Sequence, residues 1–353
     1  MRKRISAIIM TLFMVLVSCN SGGVAEDPKT VYLTSIANLG KGFLDVFVTF
    51  GDMVTGAFGI KADTKKSDIG KYFTDIESTM TSVKKKLQDE VAKNGNYPKV
   101  KTAVDEFVAI LGKIEKGAKE ASKGATGDVI IGNTVKNGDA VPGEATSVNS
   151  LVKGIKEIVG VVLKEGKADA DATKDDSKKD IGKLFTATTD ANRADNAAAQ
   201  AAAASIGAVT GADILQAIVQ SKENPVANST DGIEKATDAA EIAVAPAKDN
   251  KKEIKDGAKK DAVIAAGIAL RAMAKNGTFS IKNNEDAAVT TINSAAASAV
   301  NKILSTLIIA IRNTVDSGLK TINEALATVK QEDKSVEATN TAEATTSGQQ
   351  AKN

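Results

Sequence analysis

Between residues 300 and 329 an apolar side chain returns at every third or fourth position: Val300, Leu304, Leu307, Ile311, Val315, Leu319, Ile322, Leu326 and Val329. The steps average 3.6, the period of a straight α-helix, so these side chains lie along one face and need other elements to cover them. The predicted helix runs from about Glu285 to Val329. Its most apolar run, Ile303 to Ile311 between Lys302 and Arg312, is too short to cross a bilayer, so the ladder belongs in a protein core.

The chain ahead of it supplies the cover. Leu33, Ile36, Leu39, Phe43, Val46, Phe47, Phe50, Met53 and Val54 recur at helical spacing, with Gly40, Gly42 and Gly51 predicting a kink or a split. A second amphipathic segment spans about Ser67 to Lys93. A third opens at Pro98, where a missing N–H is harmless, carries Val104, Phe107, Val108, Leu111 and Ile114, and fades at Gly124. Residues 124–146 read as a long surface loop. Ser147 or Asn149 then caps a helix bearing Leu151, Ile155, Ile158, Val159 and Val162. Shorter helices follow at Ile181 to Thr186, along the alanine tract 197–204, after the cap Thr210, and from Ala258 to Lys275. Polar segments at 166–178 and 222–256 separate them and are expected, with 124–146, to face solvent. "DIGKYF" at 68–73 returns as "DIGKLF" at 180–185, a packing unit used twice that sets Ile and Phe on one face. The predicted fold class is all-α.

The N-terminus carries a different signal. Arg2, Lys3 and Arg4 precede an apolar run from Ile5 to Val17, a helix of roughly 20 Å against roughly 30 Å of bilayer core, and so an export leader and not a span. Leu16-Val17-Ser18-Cys19 has the form of a bacterial lipobox, in which the thiolate is alkylated by a diacylglycerol and the leader is cut before the cysteine. Two or more acyl chains give stable anchoring. The expected scheme is a signal peptide at 1–18, a lipidated tether at 19–29, a single helical domain at 30–330 and a disordered polar tail at 331–353.

Composition removes most other functions. Losing the leader takes the formal net charge from +2 to −1, which leaves no concentrated basic face for a nucleic acid. Cys19 is the only cysteine and there is no histidine, so neither disulfides nor the commonest acid–base and metal-ligating side chain are available. The run "DADATKDDSKKD" at 169–180 has carboxylates in calcium-loop fashion, but Lys174 replaces the turn glycine and Asp180 the closing glutamate, so a solvated loop is expected. Gly70-Lys71 and Gly112-Lys113 lack the spacing of a phosphate loop. Lys84-Lys85-Lys86 offers a basic triplet, followed at once by Asp89 and Glu90. No metal, cofactor or catalytic residue is expected.

Three stretches carry a resemblance. "LDVFVTFGDMVTGAFGIKADTKKSDIGKYF" (44–73) resembles the opening of the variable large proteins of relapsing-fever Borrelia. "IGAVTGADILQAIV" (206–219) and "KKDAVIAAGIALRAMAKNGTFSIK" (259–282) are similar to segments that those proteins share with the VlsE-type antigen of the Lyme spirochaete. The resemblance implies an elongated helical bundle with its N- and C-terminal helices paired near the membrane and a loop-rich distal end. It implies lipidation of Cys19, a place on the outer membrane facing the exterior, and antigenic variation against host antibodies, without catalysis. It also implies that 259–282 is largely buried. The partners expected are outer-membrane lipid and host antibodies, with monomer and homodimer both open. An adhesin for host matrix, glycosaminoglycan or a plasma protein is the alternative, resting on the lysine triplet. An anchored enzyme using carboxylates has less behind it.

Overall fold

The computed structural model describes residues 28–53, 59–94, 97–330 and 333, with no side chains described at 44–53 and 175–176. The expectations for Val46, Phe47, Phe50, Met53, Val54, Cys19, the leader and all of the tail but Asp333 therefore lie outside the described side chains. The chain divides into two compact units: one of residues 1–48, 85–108 and 318–353, the other of residues 49–84 and 109–317.

The helices are α1 (Pro28–Met53), α2 (Lys66–Asn94), α3 (Pro98–Gly124), α4 (Ala145–Val162), α5 (Asn196–Ala208), α6 (Gly211–Gln220), α7 (Ala239–Val244), α8 (Asp261–Met273) and α9 (Asp286–Ala327). Strands β1 (Thr134–Lys136) and β2 (Phe279–Ile281) are short. The all-α expectation stands, and α1 is unbroken at its glycines because packing outweighs a weak propensity penalty.

In the smaller unit α1 pairs with the end of α9. The Tyr32 hydroxyl donates to the Val329 carbonyl at 2.6 Å, and its ring meets Tyr97 edge-on with centroids 6.1 Å apart. Leu39, Phe43, Leu87, Val104 and Ile322 are buried here, and Lys99 reaches Asp333 at 3.4 Å. Only the carboxyl-terminal part of the apolar ladder is used in this unit.

In the larger unit the remainder of α9 forms the core with α2, α3 and the short helices. α9 is long and apolar enough to cross a bilayer, yet most of that stretch is buried within the protein. Helices α3 and α4 touch backbone to backbone at Gly117 and Gly154: a Cβ on Gly117 would stand 2.6 Å from the Gly154 carbonyl oxygen. Both repeats work as a packing unit, since Ile69 and Phe73, and Ile181 and Phe185, are fully buried. The second lies in a 3₁₀ helix, Asp175–Phe185, and not in an α-turn.

Two segments depart from the sequence-based expectation. The stretch 124–146 is not simply a solvent loop, because β1 within it pairs in parallel with β2, Thr134 opposite Phe279 and Lys136 opposite Ile281. Ile131 and Ala140 are buried beside it. Helix α4 begins at Ala145, ahead of both expected caps, and its N-cap Glu144 makes no side-chain cap. The stretch 222–256 is likewise not wholly exposed: α7 lies inside it, and Ile233, Ile242 and Val244 are in the core. Both errors have one cause. Three-residue strands and six-residue helices are too short for a period to show against turn residues.

Candidate functional site

The lysine triplet is placed on α2. Lys84 bonds Glu115, which also accepts from the Thr81 hydroxyl; Lys85 and Lys86 are exposed. Burial alone would raise the Glu115 carboxyl, but the hydrogen bonds from Lys84 and Thr81 overcome it and hold it below the usual carboxylate range.

The acidic run 169–180 is largely exposed, as expected, but it is pinned by one buried side chain, and its second half enters the 3₁₀ helix. Lys178 is 1 % exposed and bonds Asp171, and its ammonium lies 3.3 Å from Asp261, itself fully buried at the start of α8. Asp261 also accepts the N–H groups of Ala172 and Thr173 at 2.7 and 2.8 Å and the Thr173 hydroxyl at 2.6 Å. Burial raises its carboxyl, but these hydrogen bonds prevail and its pKa is lowered. The Lys178 ammonium thus supplies the positive charge between Asp171, one of the carboxylates that had looked like calcium ligands, and Asp261. An exposed-looking lysine run concealed it, and nothing in the spacing marks Lys178 apart from its neighbours.

A second charged centre is built from cations alone. Lys66, the first residue of α2, is fully buried and donates to the carbonyls of Arg271, Ala274 and Gly277 at 3.3, 2.6 and 3.0 Å. Arg271, fully buried on α8, donates through Nε to Thr278 at 2.8 Å and through Nη1 to Ala243 and Ala245 at 3.2 and 2.9 Å. Its Nη2 has no hydrogen-bond partner, and its guanidinium carbon lies 5.2 Å from the centre of the Phe185 ring, a cation–π contact that offsets part of the burial. Burial, then the neighbouring guanidinium, pulls the Lys66 pKa down to about 7; burial pulls Arg271 down to about 9. Lys302 repeats the device by donating to Ile206 and Val209 at 2.7 Å each. The C-terminal carbonyls of α5, α7 and α8 are therefore each closed by a cation from elsewhere in the chain. Arg271 was visible in principle, as an arginine inside the apolar run of α8. Lys66 was not.

These arrangements hold backbone in place. Among the described residues, no three or more aspartates, glutamates, cysteines or histidines gather as metal ligands. A pocket of about 270 Å³ is lined by Asp171, Thr173, Lys178, Asp256, Lys259 and Lys260, but its carboxylates already carry ammonium partners: Lys178 and Lys260 on Asp171, Lys259 on Asp256 at 3.0 Å. The expected burial of 259–282 is seen along α8, where Ile264, Ile268, Leu270 and Met273 are fully inaccessible.

Comparison with known proteins agrees with this architecture. The chain is similar to the VlsE variable surface antigen of Borrelia burgdorferi, whose crystal structure aligns with a TM-score of 0.73 at 36% identity over 83% of this chain and 98% of that one. It is 74% identical over 355 residues to variable large protein 4 of Borrelia hermsii, covering 99% of this chain and 100% of that protein. Variable large protein 19 of the same organism is 46% identical over 62% of this chain and 69% of its own length. The family model described as Borrelia lipoprotein matches residues 43–326. With its helical architecture and this near-complete match, the chain belongs to the Borrelia lipoprotein family, among the variable large proteins.

Proposed function

We propose that the mature protein is a coat antigen on the outer face of the outer membrane, anchored through acylated Cys19, which changes by antigenic variation to evade host antibodies and catalyses nothing. The leader at 1–18, the tether at 19–29 and the polar tail at 331–353 belong to the same proposal. What carries the reading is the persistence of one backbone architecture at 36% identity to a variable surface antigen. A molecule selected to replace its exterior must keep its core while most positions turn over. Substitutions away from packing features, caps and buried polar groups stay within about 0.5 kcal/mol, so such turnover is physically cheap. The buried ion networks described above are all consumed in holding backbone, which fits a scaffold better than an enzyme.

Protease treatment of intact cells expressing the native protein or Cys19→Ala tests this. Cleavage of the native protein, with loss of the variant from the envelope, is expected. Resistance until the outer membrane is broken would place the protein inside and end the coat reading. An adhesin for glycosaminoglycan or host matrix would rest on Lys84, Lys85 and Lys86. With Lys84 engaged by Glu115, heparin retention unchanged by alanine at all three is the expected result.

A further inference from the structure

We propose that Asn137 is a site of spontaneous deamidation in the folded protein, promoted by the Arg193 guanidinium that holds its side chain.

Asn-Gly occurs three times in the chain, at 94–95, 137–138 and 276–277, and Gly95 lies outside the described residues. In such a pair the glycine nitrogen can close on the asparagine side chain, because no Cβ obstructs the approach. At 137–138 the Gly138 nitrogen bonds to Cγ of Asn137 and the Cγ–Nδ2 bond breaks. The proton from Gly138 leaves with the amide group as ammonia. Solvent water then opens the cyclic imide: attack at Cγ gives aspartate, and attack at the main-chain carbonyl carbon gives isoaspartate. The sum is one water consumed and one ammonia released, with no change of oxidation state.

The surroundings of Asn137 favour each part of this reaction. Asn137 is exposed, has φ +56° and follows directly on β1, and its own N–H is committed to the Ile281 carbonyl at 3.0 Å. Among the described residues the Gly138 N–H and the Asn137 Nδ2 make no hydrogen bond, so nucleophile and leaving group are both uncommitted. The Asn137 Oδ1 accepts from Arg193 Nη1 at 3.1 Å. The Gly138 carbonyl accepts from Nε of the same guanidinium at 3.3 Å and from the Ser280 hydroxyl at 2.6 Å. One cation therefore gathers the electrophilic side chain and the residue that attacks it. Arg193 is 8 % exposed, and its charge is placed to stabilise the negative charge that develops on Oδ1 during the attack.

Asn276-Gly277 has nearly the same sequence context, Lys-Asn-Gly-Thr against Lys-Asn-Gly-Asp, and lacks these features. Gly277 is buried, and its N–H donates to the Lys275 carbonyl at 3.2 Å. Its carbonyl accepts from the buried Lys66 ammonium at 3.0 Å. Among the described residues no hydrogen bond reaches the Asn276 side chain, so its carbonyl is not polarised by a cation.

The test holds the native full-length protein in mildly alkaline buffer and maps its peptides by mass spectrometry for aspartate and isoaspartate at 137 and 276. In the folded protein Asn137 should convert about tenfold faster than Asn276 or more, the restraint that one closed hydrogen bond puts on an amide. In urea the two rates should converge. Absent or equal conversion at 137 in the folded protein overturns the proposal. So does a difference that survives in urea, since it would belong to the sequence and not to the fold. Arg193→Gln should slow conversion at 137 by about tenfold and leave 276 unchanged, and Arg193→Lys, which keeps the charge, should recover part of the rate. An unchanged or raised rate at 137 in Arg193→Gln overturns the part given to Arg193, and the comparison with urea requires no variant to fold.

Discussion

Replacing Lys66 by methionine keeps the length of the side chain and deletes a buried charge, and the effect depends on pH in a calculable way. The folded protein holds Lys66 at about 7 against an ordinary lysine value of 10.5. Between those values the unfolded chain binds the extra proton, so this group makes stability rise with pH, and the gain is lost as pH falls through about 7. Starting half-titrated at about pH 7, the wild type gains about 2 kcal/mol from Lys66 by about pH 9. The methionine variant gains nothing from this position there, and the titrating groups that are not coupled to Lys66, as Arg271 is, cancel in the comparison. Urea unfolding followed by far-UV circular dichroism, with both proteins at a series of pH values, gives the difference directly. The gap should widen in favour of the wild type by about 2 kcal/mol over that window and stay flat below it. A gap that is constant throughout refutes the reasoning. It would mean that the three carbonyls stabilise the ammonium enough to keep it charged despite burial.

Gly154→Val puts a branched side chain where the Gly117 carbonyl and the Ala121 backbone already sit, and should destabilise by about 2 kcal/mol or more in thermal or urea unfolding. Burial raises Tyr72 and Tyr97 above the ordinary tyrosine range, so alkaline titration by ultraviolet absorbance should show a late component; Tyr72→Phe, which also removes the bond to the Leu304 carbonyl, should shrink it. Asp261 has a lowered pKa, so its stabilisation is complete above the unfolded value and disappears as pH falls through the folded one. Acid unfolding of Asp261→Asn should accordingly be less steep than that of the wild type.

Long elements were legible because periodicity accumulates. The ends of α2 and α3 lie within a residue or so of where Asn94 and Gly124 placed them, and Pro98 opens α3 as its chemistry requires. Thr210 was readable too: its hydroxyl accepts the Asp213 N–H at 3.2 Å while Asp213 accepts the Thr210 N–H at 2.9 Å, a capping box written in four residues. What could not be read was anything that needs a distant partner. β1 pairs with a strand more than a hundred residues later, and Lys66 and Lys178 look like ordinary surface lysines until the carbonyls and carboxylates around them are in place. Ionisable side chains buried against backbone leave no pattern, since their partners are atoms that every residue has.

The remote closing of helix ends bears on how this chain reaches its native state. Lys302 is more than ninety residues from the α5 carbonyls it completes, and Lys66 more than two hundred from those of α8. Contacts so far apart in sequence bring high loop-closure entropy and slow folding, unusual for a helical protein. Until α9 has emerged, the partial chain has nothing to finish α5 or to cover the apolar faces awaiting it. Helices that cannot mature early keep a nascent polypeptide extended and threadable, which suits the export that the coat-antigen proposal requires.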